Sequence, residues 1–380
     1  MLIKNGLVFT ENCLFEEKSI LISGKNITNL IPSSLSSTES DSTCYDATDC
    51  YVIPGLTDIH FHGCVGYDFC DGTPEAIHAI ASYELSQGIT TICPATMTLP
   101  HEELLRICSV AASYIPSSPE ATLCGINLEG PFLSYAKRGA QNPNYLHAPA
   151  YDMLLELIQA SNHLAKLVAI APELPGAYEC IVALKDRISF SLAHTAADYD
   201  TAIKAFNLGA SHVTHLYNAM PAFSHRAPGI IGAAFDTPSC MVELICDGIH
   251  IHPSVVRATF KLFGDDRIVL ISDSMMACGM PSGEYSLGGQ AVHVDKNLAT
   301  LNDGTIAGSA THLMDCMRTA IHMGIPMESA IKAATINPAR SIGIDQQYGS
   351  ITPGKIANLI VLRKDLSIQD IIFEGQIMNL

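Results

Sequence analysis

Apolar and polar positions change rhythm along the chain. Over residues 1–53 they alternate in short segments (LIKNGLVFT, SILISGKNITNLI) interrupted by a Ser-rich stretch at 33–43, which predicts small antiparallel strands joined by a polar loop. From Ile53 an apolar run of strand length is followed by a helical stretch, and the unit repeats. TPEAIHAIASYELSQG predicts a helix capped by Thr73, with Pro74 in its first turn and a stop at Gly88. ITTICPAT is the next strand and HEELLRICSVAASY the second helix. The runs ending at Glu129 and Glu173 are strands three and four, AADYDTAIKAFNLG is an amphipathic helix stopping at Gly209, and MVELICDGIH and RIVLISDS supply strands seven and eight. Such units in order predict a (β/α)8 TIM-like barrel over residues 54–345. Strand character returns in YGSITPGKIANLIVLRKDLSIQDIIFEG, so 1–53 and 346–380 are expected to pair into one small β-sandwich domain. GEYSLGGQAVHVDKNLATLNDGTIAGS reads as a hairpin with Asn302, Asp303 and Gly304 at its tight turn, and 131–150 and 217–240 as long loops after strand ends.

The strand ends carry the candidate chemistry. GLTDIHFHG, LCGINLEGP, ISFSLAHT, SHVTHLYNAM and RIVLISDS close on His60 and His62, Glu129, His194, His215 and Asp273. In a parallel barrel the C-terminal ends of the strands open onto one face, where such groups meet. His60 and His62 are two apart, so on a strand they project to the same side and can grip one ion. An isolated HxH says little in a chain with 15 histidines, and HIH at 250–252 is a second one. Each group taken singly has an ordinary alternative as a helix cap, a core histidine or a loop carboxylate; the combination does not. Cys64, close to His62, is read as a buried thiol.

Composition narrows the function classes. With 380 residues and 48% hydrophobic content the chain can bury a large core. A formal charge of −17 without clustered Lys and Arg excludes nucleic acid as a partner. An anionic small molecule would then need a local positive patch, which draws attention to Arg226 and to Lys137 with Arg138. No run is long enough to cross a bilayer, and MLIKNGLVFTENCLFEEKSI reads as strand, not signal peptide, so a cytoplasmic location without membrane contact is expected. Thirteen cysteines without a CxxC pair fit reduced thiols. No GxSxG elbow or phosphate-binding P-loop is present.

With HxH after strand one, His after strands five and six and Asp after strand eight, the chain resembles the amidohydrolase superfamily. PGLTDIHFHG, LEGPF, VAIAPE, AHT, THLYNAMP, DGIH and AGS near residue 308 narrow the resemblance to its N-acetylglucosamine-6-phosphate deacetylase group, over almost the entire chain. Many amidohydrolases carry a carboxylated lysine at the end of strand four; here that strand ends in Ala171, Pro172 and Glu173, with Lys166 near its beginning, and Glu129 is the group's substitute bridge. The resemblance implies one or two divalent ions, zinc first and iron or manganese as alternatives. His60, His62 and Asp273 would hold one ion and His194 with His215 the other, Glu129 lying between them.

The same resemblance implies hydrolysis of the acetamide of N-acetyl-D-glucosamine 6-phosphate to glucosamine 6-phosphate and acetate, in amino-sugar catabolism or cell-wall recycling. Asp273 would be the acid–base group and His250 would contact the carbonyl oxygen or a sugar hydroxyl. Ala140, Gln141, Asn218, Ala219, Asp247, Gly248, Ile249, Thr311, His312 and Leu313 are implied substrate contacts, and the Arg226 guanidinium suits a phosphate dianion. A homodimer is implied, with His225 serving across the interface. One departure stands out: Arg138, Gly139, Ala140 and Gln141 occupy the place where members commonly read Lys-Gly-Ala-His. An amide cannot carry charge as an imidazole does, so N-acetylgalactosamine 6-phosphate or another amide of the superfamily remains an alternative substrate. Outside enzymes, the alternative is a metal-free structural or assembly protein; loss of a ligand would accompany it, and none of the six is missing.

Overall fold

Eight short parallel strands in chain order carry the middle of the chain: β1 Leu56–Asp58, β2 Ile89–Ile92, β3 Ile126–Leu128, β4 Ala165–Ile170, β5 Ser189–Leu192, β6 His212–Val213, β7 Met241–Ile245 and β8 Ile268–Ile271. They are seen in a computed structural model that describes residues 1–34 and 43–378, so the expected Ser-rich loop falls largely outside the described residues. β3 to β8 form one sheet in sequence order, and β1, β2 and Thr122–Leu123 form another. Ala95 bridges to Asn127 where the two sheets meet. At the far edge the Asp273 N–H donates to the His60 carbonyl (3.0 Å) and the His62 N–H to the Ser274 carbonyl (2.7 Å), which ties the end of β8 to the end of β1.

Helices α1 Pro74–Ser86, α2 His101–Ser113, α3 Tyr151–Ala160, α4 Ala177–Leu184, α5 Tyr199–Leu208, α6 Gly229–Phe235, α7 Pro253–Phe263 and α8 Leu313–His322 follow the strands in turn. Local sequence fixes their starts. Thr73 accepts the Ala76 N–H with Pro74 in the first turn of α1, and Asp198 accepts the Thr201 N–H at α5. The α5 stretch therefore begins three residues later than AAD suggests, because the Asp198 side chain satisfies amides that would otherwise be orphaned.

Period-two alternation decides which side chains face inward. Val242, Leu244, Ile268 and Leu270 join the cluster that contains the apolar helix faces, whereas Ile245, Val269 and Ile271 join Ile59, Cys93 and Leu167 in a separate cluster between the strands. Each such fully buried Ile or Leu contributes roughly 1.5–3 kcal/mol.

The strand-rich ends meet in one nine-stranded sheet. Tyr51–Pro54 runs parallel to Leu7–Phe9 and antiparallel to Leu359–Leu362, with Val52 opposite Val361. Alternation again sorts the residues: Val52, Leu359, Val361 and Ile372 pack with Val8, Ile20 and Ile27, while Ile53, Ile360, Leu362 and Ile371 face the main cluster. The expected hairpin is a three-stranded meander, Gly283–Leu287, Gln290–Asp295 and Leu298–Thr300. Its first turn is Gly288-Gly289, where both residues have positive φ, and the turn at 302–304 lies beyond it, closed by a Thr300–Ile306 bridge. No helix among the described residues is long and apolar enough to cross a membrane.

Candidate metal centre

The ligand-type residues leave the strand ends through strained backbone. His194, His215 and Asp273 all have positive φ, at 43°, 29° and 50°. Left-handed non-glycine residues cost on the order of 1–3 kcal/mol each and persist where neighbours hold them. Here the holding bonds are explicit: the Ser134 N–H to the His194 carbonyl (2.9 Å), the His215 N–H to Glu243 Oε2 (3.1 Å), and the Ser309 N–H to the Asp273 carbonyl (2.7 Å). Gly130 follows Glu129 at φ 97°, and a β-carbon there would collide with the Thr98 side chain.

Glu129 is the hub. Its Oε1 lies 3.1 Å from His194 Nε2, 3.1 Å from His215 Nε2 and 3.4 Å from His60 Nε2; its Oε2 lies 3.3 Å from His62 Nε2. Two trios share it, His60–His62–Glu129 and Glu129–His194–His215, all buried. Asp273 Oδ1 is 3.4 Å from His62 Nε2 and 3.9 Å from His60 Nε2.

The donor set fits a divalent ion. His194 Nε2, His215 Nε2 and Glu129 Oε1 are mutually 3.1 Å apart. Bonds of about 2.0–2.1 Å to a tetrahedral or octahedral ion place neighbouring donors roughly 2.9–3.4 Å apart. His60 Nε2 is buried without a hydrogen-bond partner, while its Nδ1 meets Glu243 Oε2 at 2.8 Å, so the free nitrogen is aimed at Glu129.

Electrostatics point the same way. Burial would depress His60, but Glu243 and Glu129 outweigh it and hold the imidazole well above its ordinary value. Burial likewise opposes charge on His62, yet Asp273 and Glu129 carry it up to about 10. Burial pushes the Glu129 carboxyl up, and the imidazoles of His60, His194 and His215 more than reverse this, leaving it well below the carboxylate range. An anionic lining that loads protons onto buried imidazoles is one that a divalent cation neutralises.

The centre opens into a cavity of about 390 Å³ lined in part by His62, Glu129, Lys137, Ala140, Gln141, His194, His215, Asn218, Ala219, His250 and Asp273. His250 is set by its own turn: Asp247 Oδ1 accepts the Ile249 and His250 N–H groups (both 2.9 Å), and Asp247 Oδ2 meets His250 Nδ1 at 2.6 Å. Asp247, Gly248 and Ile249 thus build the turn behind His250 and lie outside the lining. Gln141 is buried; its Oε1 accepts the Thr98 N–H (2.7 Å) and its Nε2 donates to Glu129 Oε2 (2.8 Å).

Other expected residues sit elsewhere. Thr311, His312 and Leu313 are not in the lining; His312 caps α8 and Leu313 is buried in the main cluster. Arg226 and His225 are exposed on the loop before α6, and neither lines this cavity. Arg138 stacks over the Tyr135 ring at 4.4 Å, whereas Lys137 lines the cavity and its carbonyl meets His194 Nδ1 (2.9 Å). Cys64 points its sulfur toward the Ile80 carbonyl (3.9 Å), away from the trios. Glu173 is turned to Thr195 and the Ala196 N–H. Missed by sequence reasoning were Glu243, inside the apolar run of β7, and the meander residues Leu287, Thr305 and Ile306 that wall the cavity.

Known proteins resemble this chain in sequence and in fold. The sequence matches the model of the amidohydrolase family over residues 51–378. It is 34% identical over 391 aligned positions to the N-acetylglucosamine-6-phosphate deacetylase of Bacillus subtilis, covering 99% of this chain and 96% of the relative. It is 32% identical over 378 residues to the N-acetylgalactosamine-6-phosphate deacetylase of Escherichia coli O157:H7, covering 98% and 97%. A solved mutant N-acetyl-D-glucosamine-6-phosphate deacetylase of Mycobacterium smegmatis, in complex with N-acetyl-D-glucosamine-6-phosphate, matches with a TM-score of 0.92 at 29% identity over 99% of this chain and 98% of that one.

Proposed function

The chain belongs to the amidohydrolase family, and we propose that it hydrolyses the acetamide of N-acetyl-D-glucosamine 6-phosphate to D-glucosamine 6-phosphate and acetate. The observation that carries this is Glu129, shared by two imidazole pairs at the floor of a cavity whose volume suits a small molecule. His60, His62 and Asp273 on one side and His194 with His215 on the other would hold one or two divalent ions together with Glu129; the imidazole-rich set favours zinc over iron or manganese. A bound divalent ion lowers the pKa of water and polarises the amide carbonyl. Asp273 accepts the proton of the attacking water and returns it to the departing amine nitrogen. His250, with Nδ1 taken by Asp247, has Nε2 left for the carbonyl oxygen or a sugar hydroxyl.

Ala140, Gln141, Asn218 and Ala219 wall the sugar, and Arg226 takes the phosphate. Because Arg226 and His225 are exposed and outside their own cavity's lining, this reading places them against a neighbouring subunit's substrate in a homodimer. Asp247, Gly248 and Ile249, with Thr311, His312 and Leu313, support the pocket from behind. The eight strands are read as a closed (β/α)8 barrel over 54–345, supported by the bonds between His60 and Asp273, and residues 1–53 with 346–380 as a small β-sandwich domain, supported by its own apolar cluster. Thirteen cysteines without a disulfide favour a reducing, cytoplasmic setting. The galacto epimer is the second reading, because a relative of that name is almost as similar as one named for the gluco sugar.

The test is to purify the protein without added metal, count ions per subunit, and follow acetate release from both N-acetylhexosamine 6-phosphates before and after chelation. Bound ions with chelator-sensitive release, faster on the gluco epimer, support the reading. Faster release on the galacto epimer replaces the substrate, and ions without release from either sugar overturn it.

A pH profile tests His250 separately. Burial lowers its proton affinity, but the bond to Asp247 outweighs this and raises it above the ordinary 6.5. The stability from this pair is fully present below 6.5 and is lost as pH rises through the elevated value. If cationic His250 donates to the substrate, kcat/KM falls along the same alkaline limb. Asp247→Asn is expected to move that limb to lower pH, because burial is then opposed only by the more distant charge of Asp273; an unmoved limb assigns it to another group.

A further inference from the structure

We propose that Glu243 is a positioning residue that couples the two candidate ion positions; this rests on the two-ion form of the reading above, in which Glu129 is shared. Glu243 sits in β7 between Val242 and Leu244 and is 0% exposed. A carboxylate there pays a large desolvation cost, and no Lys or Arg pairs with it among the described residues. Its partners are histidines and one strained amide. Oε2 meets His60 Nδ1 at 2.8 Å and also accepts the His215 N–H at 3.1 Å. One oxygen thus fixes the ring of a ligand in the first trio and the left-handed backbone of a ligand in the second.

The consequences differ for the two histidines. A Nδ1–H donated to Glu243 sets the His60 tautomer that leaves Nε2 with its lone pair toward Glu129. The bond to the His215 amide stabilises the turn at φ 29° that brings its imidazole Nε2 to within 3.1 Å of Glu129 Oε1. Glu243 Oε1 has no hydrogen bond and lies 3.6 Å from His212 Nδ1, which in turn is 3.3 Å from Ser191 Oγ. Oε2 therefore carries both of the carboxylate's hydrogen bonds, and His212 lies beside Oε1 without bonding to it. Neither Glu243 nor His212 lines the cavity, so their effect on substrate passes through the ligands.

Glu243→Gln keeps a carbonyl acceptor and Glu243→Leu removes both oxygens. Zinc affinity, measured by competition with a chromogenic chelator, should fall about 10–100-fold in Glu243→Leu and less in Glu243→Gln, as for removal of outer-shell partners elsewhere. Both positions should weaken together, kcat should recover in excess zinc, and KM should stay near that of the unaltered protein. Unchanged affinity, or loss confined to one position, overturns the coupling. Should Glu243→Leu fail to fold, the zinc-loaded natural protein still decides: a far-downfield, slowly exchanging Nδ1–H proton of His60 is expected, less downfield and faster to exchange in Glu243→Gln, and its absence from the natural protein overturns the proposal. Normal zinc uptake with that proton present but no acetate release removes the substrate reading and leaves this one standing. A natural protein that takes up no ion overturns both.

Discussion

Glu129→Gln is expected to abolish turnover and ion binding together: kcat/KM should fall on the order of 10³-fold or more, and bound ions should drop well below the unaltered protein's content. The substitution is nearly isosteric, so its effect is electrostatic and directional. Among the described residues Glu129 is the carboxylate that faces all four imidazoles, with Oε1 against His194, His215 and His60 and Oε2 against His62. Neither orientation of an amide restores this. With nitrogen in the Oε2 place it would face the Gln141 Nε2 donor, now 2.8 Å from Oε2. With nitrogen in the Oε1 place its hydrogens would occupy the lone pairs of His194 and His215. Elemental analysis beside steady-state acetate release checks the result. Retained ions with lost turnover would show that Glu129 acts on substrate and not as the shared ligand.

The strand-end positions of the candidate ligands were legible because polar groups closing apolar runs have few other places to go. His60, His62, Glu129, His194, His215 and Asp273 end near one another, as their positions after strands suggested. Thr73, Pro74 and Asp198 show why helix starts were readable: a side chain that satisfies a free amide is a local cause. Glu243 was not legible. In MVELICDGIH it looks like an interruption of a buried strand, and only the alternation of Val242 and Leu244 outward against Ile245 inward reveals that it faces the interior. That signal lies in the pattern, yet its partner His60 is 183 residues away in sequence. Gln141 shows a different limit. Its lack of charge was readable, but its role as a donor to Glu129 depends on the Thr98 amide that orients it, which no local pattern contains. The Thr311–Leu313 stretch went the other way, since a motif near the right strand end places His312 at a helix start instead of in the lining.

Asp273→Asn should separate proton transfer from ion binding. Asp273 is buried and lowered in pKa; burial opposes this, but the bond to His62 and the nearby imidazoles prevail, so it is ionised and able to accept a proton. Asparagine has almost the same shape and tolerates the left-handed φ of 50°. The fold and the two trios should therefore survive, because His60, His62 and Glu129 still converge without the Asp273 carboxylate and the asparagine oxygen keeps a weaker donor in its place. What asparagine cannot do is take a proton from water and return it to the leaving nitrogen. The expected loss is in kcat, about 10²–10⁴-fold, with KM little changed, the magnitude usual for removing a general acid–base group. Ion content close to that of the unaltered protein, with tight retention of uncleaved N-acetyl-D-glucosamine 6-phosphate, would place Asp273 in the proton path. If ions leave with the carboxylate, its first task is to hold one, 3.4 Å from His62 Nε2 as it stands. If kcat falls less than tenfold, a second acid–base group must take the proton from water and deliver it to the leaving nitrogen, and His250, facing the same cavity, is the group to substitute next.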